Sequence, residues 1–280
     1  MDIIDIHLHV GHVFEWSPAA VHLWMNTGPY RQQIYNDDGV LVPEQYHRVL
    51  AAEGIVGGVL LPEYSPETAG VLPVEGTFAI SSRFPQYLPF GAVNPLVHDD
   101  VVAEFERQLA LGVQGLKIHG VHGLFPVNDR RLYPLYELCV ARSLPVMFHA
   151  GTSVFPKTKL KHADPYLYDE VAADFSDLTM ILCHGGRGFW YQLAEFMLIR
   201  HANVHIDISG LPPQNLLTYY PKMERLADKF LFGSDFPGVP GLRRNVEKME
   251  QLGLSRPALA QICYHNAVRI MPFGHRITQT

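Results

Sequence analysis

Strand-like and helix-like segments alternate along almost the whole chain, and this alternation limits the possible folds more than any other feature. Eight runs rich in Val, Ile, Leu and Phe have the pattern of buried strands, at about 2–9, 56–63, 87–94, 113–119, 145–150, 178–184, 203–209 and 230–235. Helix-like stretches separate them, at 43–53, 74–84, 99–111, 131–143, 164–175, 190–201, 213–228 and 240–252. Eight strand–helix units in about 250 residues predict an α/β fold of the (β/α)8 TIM-barrel type, because a doubly wound sheet usually has fewer strands.

Two segments lie outside this alternation. Residues 10–42, rich in aromatic residues, Pro, Asn and Gly, are too long for a simple connection, and we expect them to form a partly ordered flap over the site. Residues 255–271 begin with Ser255-Arg256-Pro257, a helix-start pattern that predicts an extra terminal helix. We therefore expect one barrel domain over residues 1–280, with an insertion after its first strand.

Composition narrows the classes of ligand and the cellular setting. The net charge is −6 and the Lys and Arg residues are scattered, which argues against a nucleic-acid or anionic-membrane surface and favours a small-molecule ligand. No apolar run reaches the roughly 20 residues that span a bilayer, and the first strand leaves no room for a signal peptide. The three cysteines are odd in number and far apart, as in a reducing compartment. We expect a soluble, cytoplasmic protein.

The first strand carries an unusual polar face, in the run MDIIDIHLHV. Because residues two apart in a strand project to the same side, Asp5, His7 and His9 should share one face, and the aliphatic residues between them the other. A single buried histidine is most often a core residue held by one hydrogen bond. A His-x-His pair at a strand end is different, because it directs two nitrogen ligands at one point.

Further polar residues fall at the carboxyl ends of later strands. They are Lys117 and His119 in LKIHG, His149 in VMFHAG, His184 in ILCHGG and Asp235 in LFGSDFP. In a barrel of this type the active site lies at these ends, so residues distant in sequence converge on one mouth. Imidazoles and a carboxylate together suit zinc or another divalent transition metal.

The motifs resemble those of the amidohydrolase superfamily, and within it the amidohydrolase-2 branch. They are HLH at 7–9, KIH at 117–119, FHAGT at 148–152, CHGG at 183–186, FGSDFP at 232–237 and NAVRI at 266–270. That branch includes aminocarboxymuconate-semialdehyde decarboxylase, resorcylate-type decarboxylases and several small-acid hydrolases. The resemblance implies a metal bound by His7, His9, His149 and Asp235, with His184 as the acid–base group beside it.

This ligand set is compatible with more than one reaction. In hydrolysis His184 would deprotonate a water and Asp235 would accept the proton, whereas in decarboxylation a proton is delivered to carbon. We expect a hydrolase of a small carboxylate-bearing or cyclic ester or amide substrate. The alternative is a non-oxidative decarboxylase of a small aromatic or enoic acid, followed by a two-metal iron or manganese oxygenase. The intact ligand set argues against a non-catalytic protein.

Lys117 decides the expected number of metal ions. Many members of the superfamily bridge two metals with a carboxylated strand-4 lysine, so Lys117 could hold a second ion. We favour an inward-facing lysine paired with a carboxylate such as Asp235 or Asp207. We therefore expect one divalent ion, zinc before manganese or iron.

Predicted substrate contacts and assembly rest on weaker signals. Five residues near the strand ends are candidates for binding substrate: Arg187, His119, Glu63, Asn94 and Trp190. Three histidines on predicted loops are expected to be solvated: His12, His122 and His162. Charged residues make up only 18% of the chain, which leaves apolar surface for subunit contact, and decarboxylase-like relatives are commonly dimeric. We expect a homo-oligomer, most simply a dimer.

Overall fold

The structure, a computed structural model, describes residues 1–277, in which eight parallel strands build a barrel. In chain order the strands are β1 (Ile3–His9), β2 (Ile55–Leu61), β3 (Tyr87–Pro89 and Gly91–Ala92), β4 (Leu116–Ile118), β5 (Val146–Gly151), β6 (Met180–Arg187), β7 (Val204–Asp207) and β8 (Phe230–Leu231). Each strand is hydrogen-bonded in parallel to the next along the chain. The eight predicted strand positions are therefore confirmed, although β3, β4, β7 and β8 are shorter than their apolar runs.

The first and last strands meet and close the barrel. Backbone N–H groups of Asp235 and His9 donate to the carbonyls of His7 and Phe236, at 3.1 and 2.9 Å. The strand β8 has only two residues, and these hydrogen bonds join β1 to the chain that follows it. They also place the FGSDFP turn directly against the His-x-His pair, although the turn and the pair are more than 200 residues apart in sequence.

A helix follows each strand, as the alternation predicts: Pro43–Ala52, Val74–Ser81, Val101–Leu111, Tyr133–Ala141, Pro165–Asp174, Tyr191–Arg200, Leu216–Tyr219 and Leu242–Glu250. Two of them begin at aspartates whose carboxylates accept backbone N–H bonds of the first turn. These are Asp100, which accepts from Val102 and Ala103, and Asp164, which accepts from Tyr166. In residues 1–277 none of the helices has the length and apolar character needed to cross a membrane.

The prediction of a helix over 213–228 is wrong for most of that range. Only a 3-10 turn, Pro213–Asn215, and the short helix Leu216–Tyr219 form there. The helix ends at Tyr220, whose φ and ψ are −129° and 80°. Pro221 follows, and a proline disfavours helical geometry in the residue before it, so the helix cannot continue.

The segments outside the alternation are ordered. Residues 10–42 contain the helices Pro18–Leu23 and Arg31–Ile34, joined by short 3-10 turns. A hairpin of strands Glu63–Ser65 and Gly70–Leu72 follows β2 and contacts this insertion, with Gly70 bridged to Trp16. The predicted terminal helix consists of three consecutive helical pieces, Arg256–Ala260, Gln261–His265 and Asn266–Ile270.

The faces of β1 depart from simple alternation. Between Asp5 and Leu8 the pairing with β2 shifts by one residue, because three steps along β1 oppose two along β2. Ile4 and Ile6 pack in a buried cluster with side chains of five other strands, whereas Leu8 belongs to the larger apolar cluster of the protein. The aliphatic residues of β1 therefore do not share one face as predicted, yet His7 and His9 still project together.

Candidate metal centre

A cavity of about 260 Å³ opens at the carboxyl ends of the strands. Its lining is His9, Trp16, Leu23, Trp24, Glu63, His122, His149, Thr152, Ser153, Val154, Phe155, His184, Arg187 and Asp235. Six of these residues come from the strand ends that the sequence singled out, and the remainder come from loops and the insertion. The barrel therefore gathers most of the predicted site residues around one small space.

Three potential ligand atoms converge at the inner end of the site. The Nε2 atoms of His7 and His9 lie 3.2 Å apart, and Asp235 Oδ1 lies 3.6 and 3.3 Å from them. All three residues are buried. For metal–nitrogen bonds of about 2.0–2.1 Å, tetrahedral ligands are separated by about 3.3 Å, so these spacings match those of a divalent transition metal's ligands.

The proton on His7 supports this interpretation. Asp207 Oδ2 lies 2.5 Å from His7 Nδ1, and a carboxylate beside this nitrogen keeps the proton there. His7 Nε2 therefore carries a lone pair and faces a second imidazole nitrogen and a carboxylate oxygen. Three electron-rich atoms this close together in a buried site need a shared cation, so the donor set fits a divalent metal.

Two residues that hold His7 in place were missed as site residues. Ser209 donates its hydroxyl to Asp207 Oδ2 at 2.8 Å, and Asp207 Oδ1 accepts the Ser209 backbone N–H, also at 2.8 Å. The predicted pairing of Asp207 was with Lys117 instead. The available signal was the D-x-S spacing at the end of the seventh strand, which directs both side chains to one face.

His149 lies in the same cavity but is not part of the closest group. Its ring centroid is 4.6 Å from that of His184. Its Nε2 atom is buried without a hydrogen-bond partner, which is unusual for a polar atom and is typical of a ligand position. In the closest group, the three ligand atoms that lie within 4.8 Å of one another come from His7, His9 and Asp235, without His149.

His184 lies in an irregular part of β6 and has a defined tautomer. Its φ is 66°, a left-handed value that is uncommon for residues other than glycine. Its Nδ1 atom is 2.9 Å from the backbone carbonyl of Ser209, and because a carbonyl only accepts, Nδ1 carries the proton. Burial, followed by the positive charge of Arg187, keeps the pKa of His184 well below its usual range. His184 is therefore a neutral imidazole whose Nε2 is unprotonated.

Asp235 is held as a carboxylate. Burial alone would raise its pKa, but the adjacent His9 and His7 and the positive charge of Arg187 outweigh burial and lower it. The Arg187 guanidinium lies 3.8 Å from Asp235 Oδ2 and donates to the Thr152 carbonyl at 2.9 Å. The side chain of Arg187 remains 26% exposed at the cavity, so its other donors are open to a ligand.

Lys117 has a different partner from the predicted carboxylate. Its Nζ donates to Cys183 Sγ at 3.0 Å, and the ammonium is completely buried. Within residues 1–277 the structure shows no ion pair between Lys117 and either Asp235 or Asp207. Cys183 projects toward β4, which explains its contact with Lys117. Burial raises the pKa of the Cys183 thiol.

A second group of polar residues lies beside the first, at the ends of β2 and β4. His122 Nδ1 donates to Glu63 Oε1 at 2.8 Å, and His119 Nε2 lies 3.5 Å from Glu63 Oε2. The expectation that His122 and His162 are solvated is wrong, because both are buried. His122 belongs to the short helix Gly120–Gly123, one turn after His119, whereas the sequence was interpreted as a loop.

The remaining predicted contacts lie away from the cavity wall. Asn94 donates to the carbonyls of Tyr64 and Gly123, at 2.8 and 3.4 Å, and thus joins two loops. Trp190 immediately precedes the helix Tyr191–Arg200. The aromatic wall comes instead from the insertion, where the rings of Trp16 and Trp24 meet the His9 ring edge-on, with centroids 5.6 and 5.3 Å away.

Comparison with solved structures shows the same barrel. An uncharacterised TIM-barrel protein from Bordetella bronchiseptica is 24% identical, with a TM-score of 0.79 over 96% of this chain and 98% of its own. A probable 2-pyrone-4,6-dicarboxylic acid hydrolase from Acinetobacter baumannii, with citric acid bound, is 16% identical, with a TM-score of 0.67 over 96% and 99%. A dihydroxybenzoic acid decarboxylase from a Polaromonas species, with bound manganese and the inhibitor 2-nitroresorcinol, is 15% identical, with a TM-score of 0.64 over 96% and 96%. These likenesses establish the fold.

The sequence itself identifies the family. Among curated proteins, the search finds no relative that matches the chain. The model of the amidohydrolase family, in contrast, matches residues 4–273, which is nearly the whole chain. With a barrel fold and a His and Asp cluster suited to a metal at the carboxyl ends of its strands, this chain belongs to the amidohydrolase family, in its amidohydrolase-2 branch, and is an enzyme of that superfamily.

Proposed function

We propose that the protein is a metal-dependent hydrolase of a small, carboxylate-bearing ester, lactone or amide. The observation that carries the proposal is the tautomer of His184, which presents an unprotonated nitrogen in the cavity that also contains His9 and Asp235. A base in this position is what hydrolysis needs, because the attacking water must lose a proton.

The proposed ligands of the metal are His7, His9, His149 and Asp235, with zinc as the first choice. A divalent ion bound there lowers the pKa of a water molecule from 15.7 toward 7 and polarises a carbonyl oxygen. His184 takes a proton at Nε2 while its Nδ1–H stays bonded to the Ser209 carbonyl. Asp235 Oδ1 lies beside His7 and His9 and is therefore the proposed ligand, which leaves His184 as the proposed first proton acceptor.

Protonation also favours hydrolysis over decarboxylation. Burial keeps the pKa of His184 well below its usual range, so this imidazole is neutral at pH 7. Decarboxylation needs a group that gives a proton to carbon, whereas neutral His184 can accept one. The site is therefore better suited to remove a proton than to supply one.

The substrate class follows from Arg187 and from the size of the cavity. Arg187 is the cavity's guanidinium, and a guanidinium binds a carboxylate through two parallel hydrogen bonds. A cavity of about 260 Å³ lies below the usual range for drug-sized ligands and suits a small acid. Trp16 and Trp24 cover the site beside His9 and exclude water from the reacting bond.

A decarboxylase of a small aromatic acid is the second candidate. Trp16, Trp24 and Phe155 give the cavity three aromatic walls, against which a planar substrate ring can pack. The likeness to a manganese-containing dihydroxybenzoic acid decarboxylase supports the same candidate and makes manganese the alternative to zinc. An oxygenase with iron or manganese remains the third candidate.

One screen separates these candidates. Protein loaded separately with zinc and with manganese is supplied with carboxylate-bearing lactones, esters and amides, and in parallel with hydroxybenzoic and enoic acids. Acid release detects hydrolysis, and carbon dioxide release detects decarboxylation. We expect the wild type to hydrolyse substrates of the first group. The variant Arg187→Met should lose hydrolysis of carboxylate-bearing substrates and retain hydrolysis of neutral analogues. Carbon dioxide release without hydrolysis of any substrate would reverse the order of the two candidates.

We also propose that the protein is a homo-oligomer. Large apolar side chains are strongly exposed, among them Phe14 at 67%, Val154 at 73% and Phe189 at 74%. Exposed apolar surface of this kind is often covered by a second subunit. Sedimentation velocity at micromolar concentration is expected to show a dimer or a larger species, and a monomer would contradict the proposal.

A further inference from the structure

A second set of buried donors adjoins the proposed metal centre. Ligand atoms of His9, Glu63 and His119 all lie within 4.8 Å of one another, and all three side chains are buried. His9 belongs to both sets, so the two groups share one residue. Glu63 and His119 stand at the ends of β2 and β4, away from Asp235 on the closing turn after β8.

Two atoms of this second set lack any hydrogen-bond partner. Glu63 Oε2 and His119 Nε2 are buried, accept and donate no hydrogen bond, and lie 3.5 Å apart. The other carboxylate oxygen, Glu63 Oε1, is fixed by His122 at 2.8 Å, so Glu63 is held with Oε2 directed at His119. Buried polar atoms are nearly always satisfied, and two unsatisfied atoms facing each other indicate a bound group between them.

The chemistry of these atoms selects a cation. A substrate carboxylate would be repelled by Glu63, while an imidazole nitrogen and a carboxylate oxygen are common ligands of zinc, manganese and iron. Their separation of 3.5 Å is close to that of Asp235 Oδ1 from His7 and His9 in the first set, at 3.6 and 3.3 Å. Lys117, which was the alternative candidate for holding a second ion, is instead paired with Cys183.

We propose that Glu63, His119 and His9 hold a second divalent cation, beside the one at His7, His9 and Asp235, with His9 losing its ring proton to solvent and binding one ion through each nitrogen as a bridging imidazolate. His122 acts as the residue that orients Glu63. The second ion adds a positive charge to the wall that Glu63 contributes to the cavity, and thereby makes that wall attractive to an anionic substrate. The inference depends on the proposed function only through the shared ligand His9, and it holds for either candidate reaction.

Metal content tests the proposal without any substrate. Chelator-treated protein is titrated with MnCl₂ by calorimetry, and the bound metal is counted by elemental analysis after desalting. We expect two ions per chain in the wild type and in the surface control Glu106→Gln. We expect one ion in Glu63→Gln and one in His119→Asn. Circular dichroism of each variant confirms that it is folded, and the two substitutions serve as independent checks of one site.

Two further variants distinguish this proposal from its alternatives. Asp235→Asn is expected to lose the first ion, and Lys117→Met is expected to keep both. The wild-type manganese spectrum in electron paramagnetic resonance should show two coupled ions, and the coupling should vanish in His119→Asn. Unchanged metal content in both Glu63→Gln and His119→Asn overturns the second site, while a loss in Asp235→Asn still supports the first. If Lys117→Met loses an ion while Glu63→Gln retains both ions, the proposal is overturned, and a carboxylated Lys117 holds the second ion instead.

Discussion

His184 donates its Nδ1 proton to the backbone carbonyl of Ser209 across 2.9 Å, and this bond fixes which nitrogen of the ring is basic. The hydroxyl of the same serine donates to Asp207, which holds His7. Ser209 therefore links the proposed base to a proposed metal ligand. Because the carbonyl belongs to the backbone, side-chain substitutions at position 209 leave the tautomer of His184 in place.

The first prediction concerns His184 itself. His184→Ala removes the proton acceptor and leaves the converging atoms of His7, His9 and Asp235 untouched. Turnover should fall on the order of 10²–10⁴, the usual contribution of a positioned base, while bound metal stays at the wild-type level. Steady-state kinetics and elemental analysis measure the two quantities. His265→Ala, at an exposed position of the terminal helix, is the matched control. Turnover within a few-fold of wild type would assign the proton to another group.

The second prediction concerns Asp207. In Asp207→Asn one of the two carboxylate oxygens is replaced by an NH₂ group, which donates hydrogen bonds and cannot accept them. The asparagine therefore cannot accept all the hydrogen bonds that Asp207 receives from His7 and Ser209. Metal affinity should fall about 10–100-fold, as is typical when the carboxylate partner of a ligand histidine is lost. Competition with a chromophoric chelator measures it. Asp169→Asn is a close control, because Asp169 holds His201 at 2.6 Å in a similar pair remote from the cavity. Equal affinities in both variants would separate Asp207 from the metal centre.

The third prediction uses a pair of left-handed glycines. An added Cβ at Gly210 would lie 2.5 Å from Arg187 Nη1 and 3.0 Å from Asp235 Oδ2, whereas at Gly253 it would meet nothing within 4 Å. Both have positive φ, 65° and 82°, so Ala at either costs about 1–2 kcal/mol of stability. Gly210→Ala should lose activity as well, and Gly253→Ala should keep it. Thermal unfolding and kinetics provide the two readouts, and full activity in Gly210→Ala would remove Arg187 and Asp235 from the reacting geometry.

The fourth prediction concerns Asp5. Burial raises the pKa of this carboxyl to about 7, from 3.8 for an exposed group, even though it accepts backbone bonds from His7 and Ser234. Between these two values the folded state binds the proton more tightly, so stability falls as pH rises. Asp5→Asn should remove this loss.

Chemical denaturation of metal-free protein from pH 4 to pH 8 tests the prediction. The stability of the wild type relative to Asp5→Asn should decrease by about 4 kcal/mol at most over this range. Asp99→Asn, at an exposed position, should leave the pH dependence of the wild type unchanged. A difference that does not vary with pH would mean that Asp5 titrates normally.

The barrel and the centre of the site were predictable from local patterns. Strand and helix periodicity gave the eight units, and the two-residue spacing of His7 and His9 follows from strand geometry alone. Asp235 was recognisable because its turn ends a strand. The family resemblance, now confirmed by the match over residues 4–273, supplied the division of roles among these residues.

What the sequence could not predict was mostly the partner of each side chain. Asp207 bonds to His7 across 200 positions, and this pairing depends on how β7 and β1 sit in the closed barrel. Lys117 was correctly expected to point inward, but its neighbour on β6 is a thiol, not a carboxylate. The burial of His122 depends on one short helical turn whose Gly-rich sequence has low helix propensity.

Anomalous diffraction from crystals of the zinc-loaded protein, recorded on both sides of the zinc absorption edge, tests the metal centre most directly. The account predicts an anomalous peak within about 2.0–2.2 Å of His7 Nε2, His9 Nε2 and Asp235 Oδ1, with His149 as the fourth protein ligand. A protein that crystallises with zinc present yet shows no peak between these three atoms would contradict it.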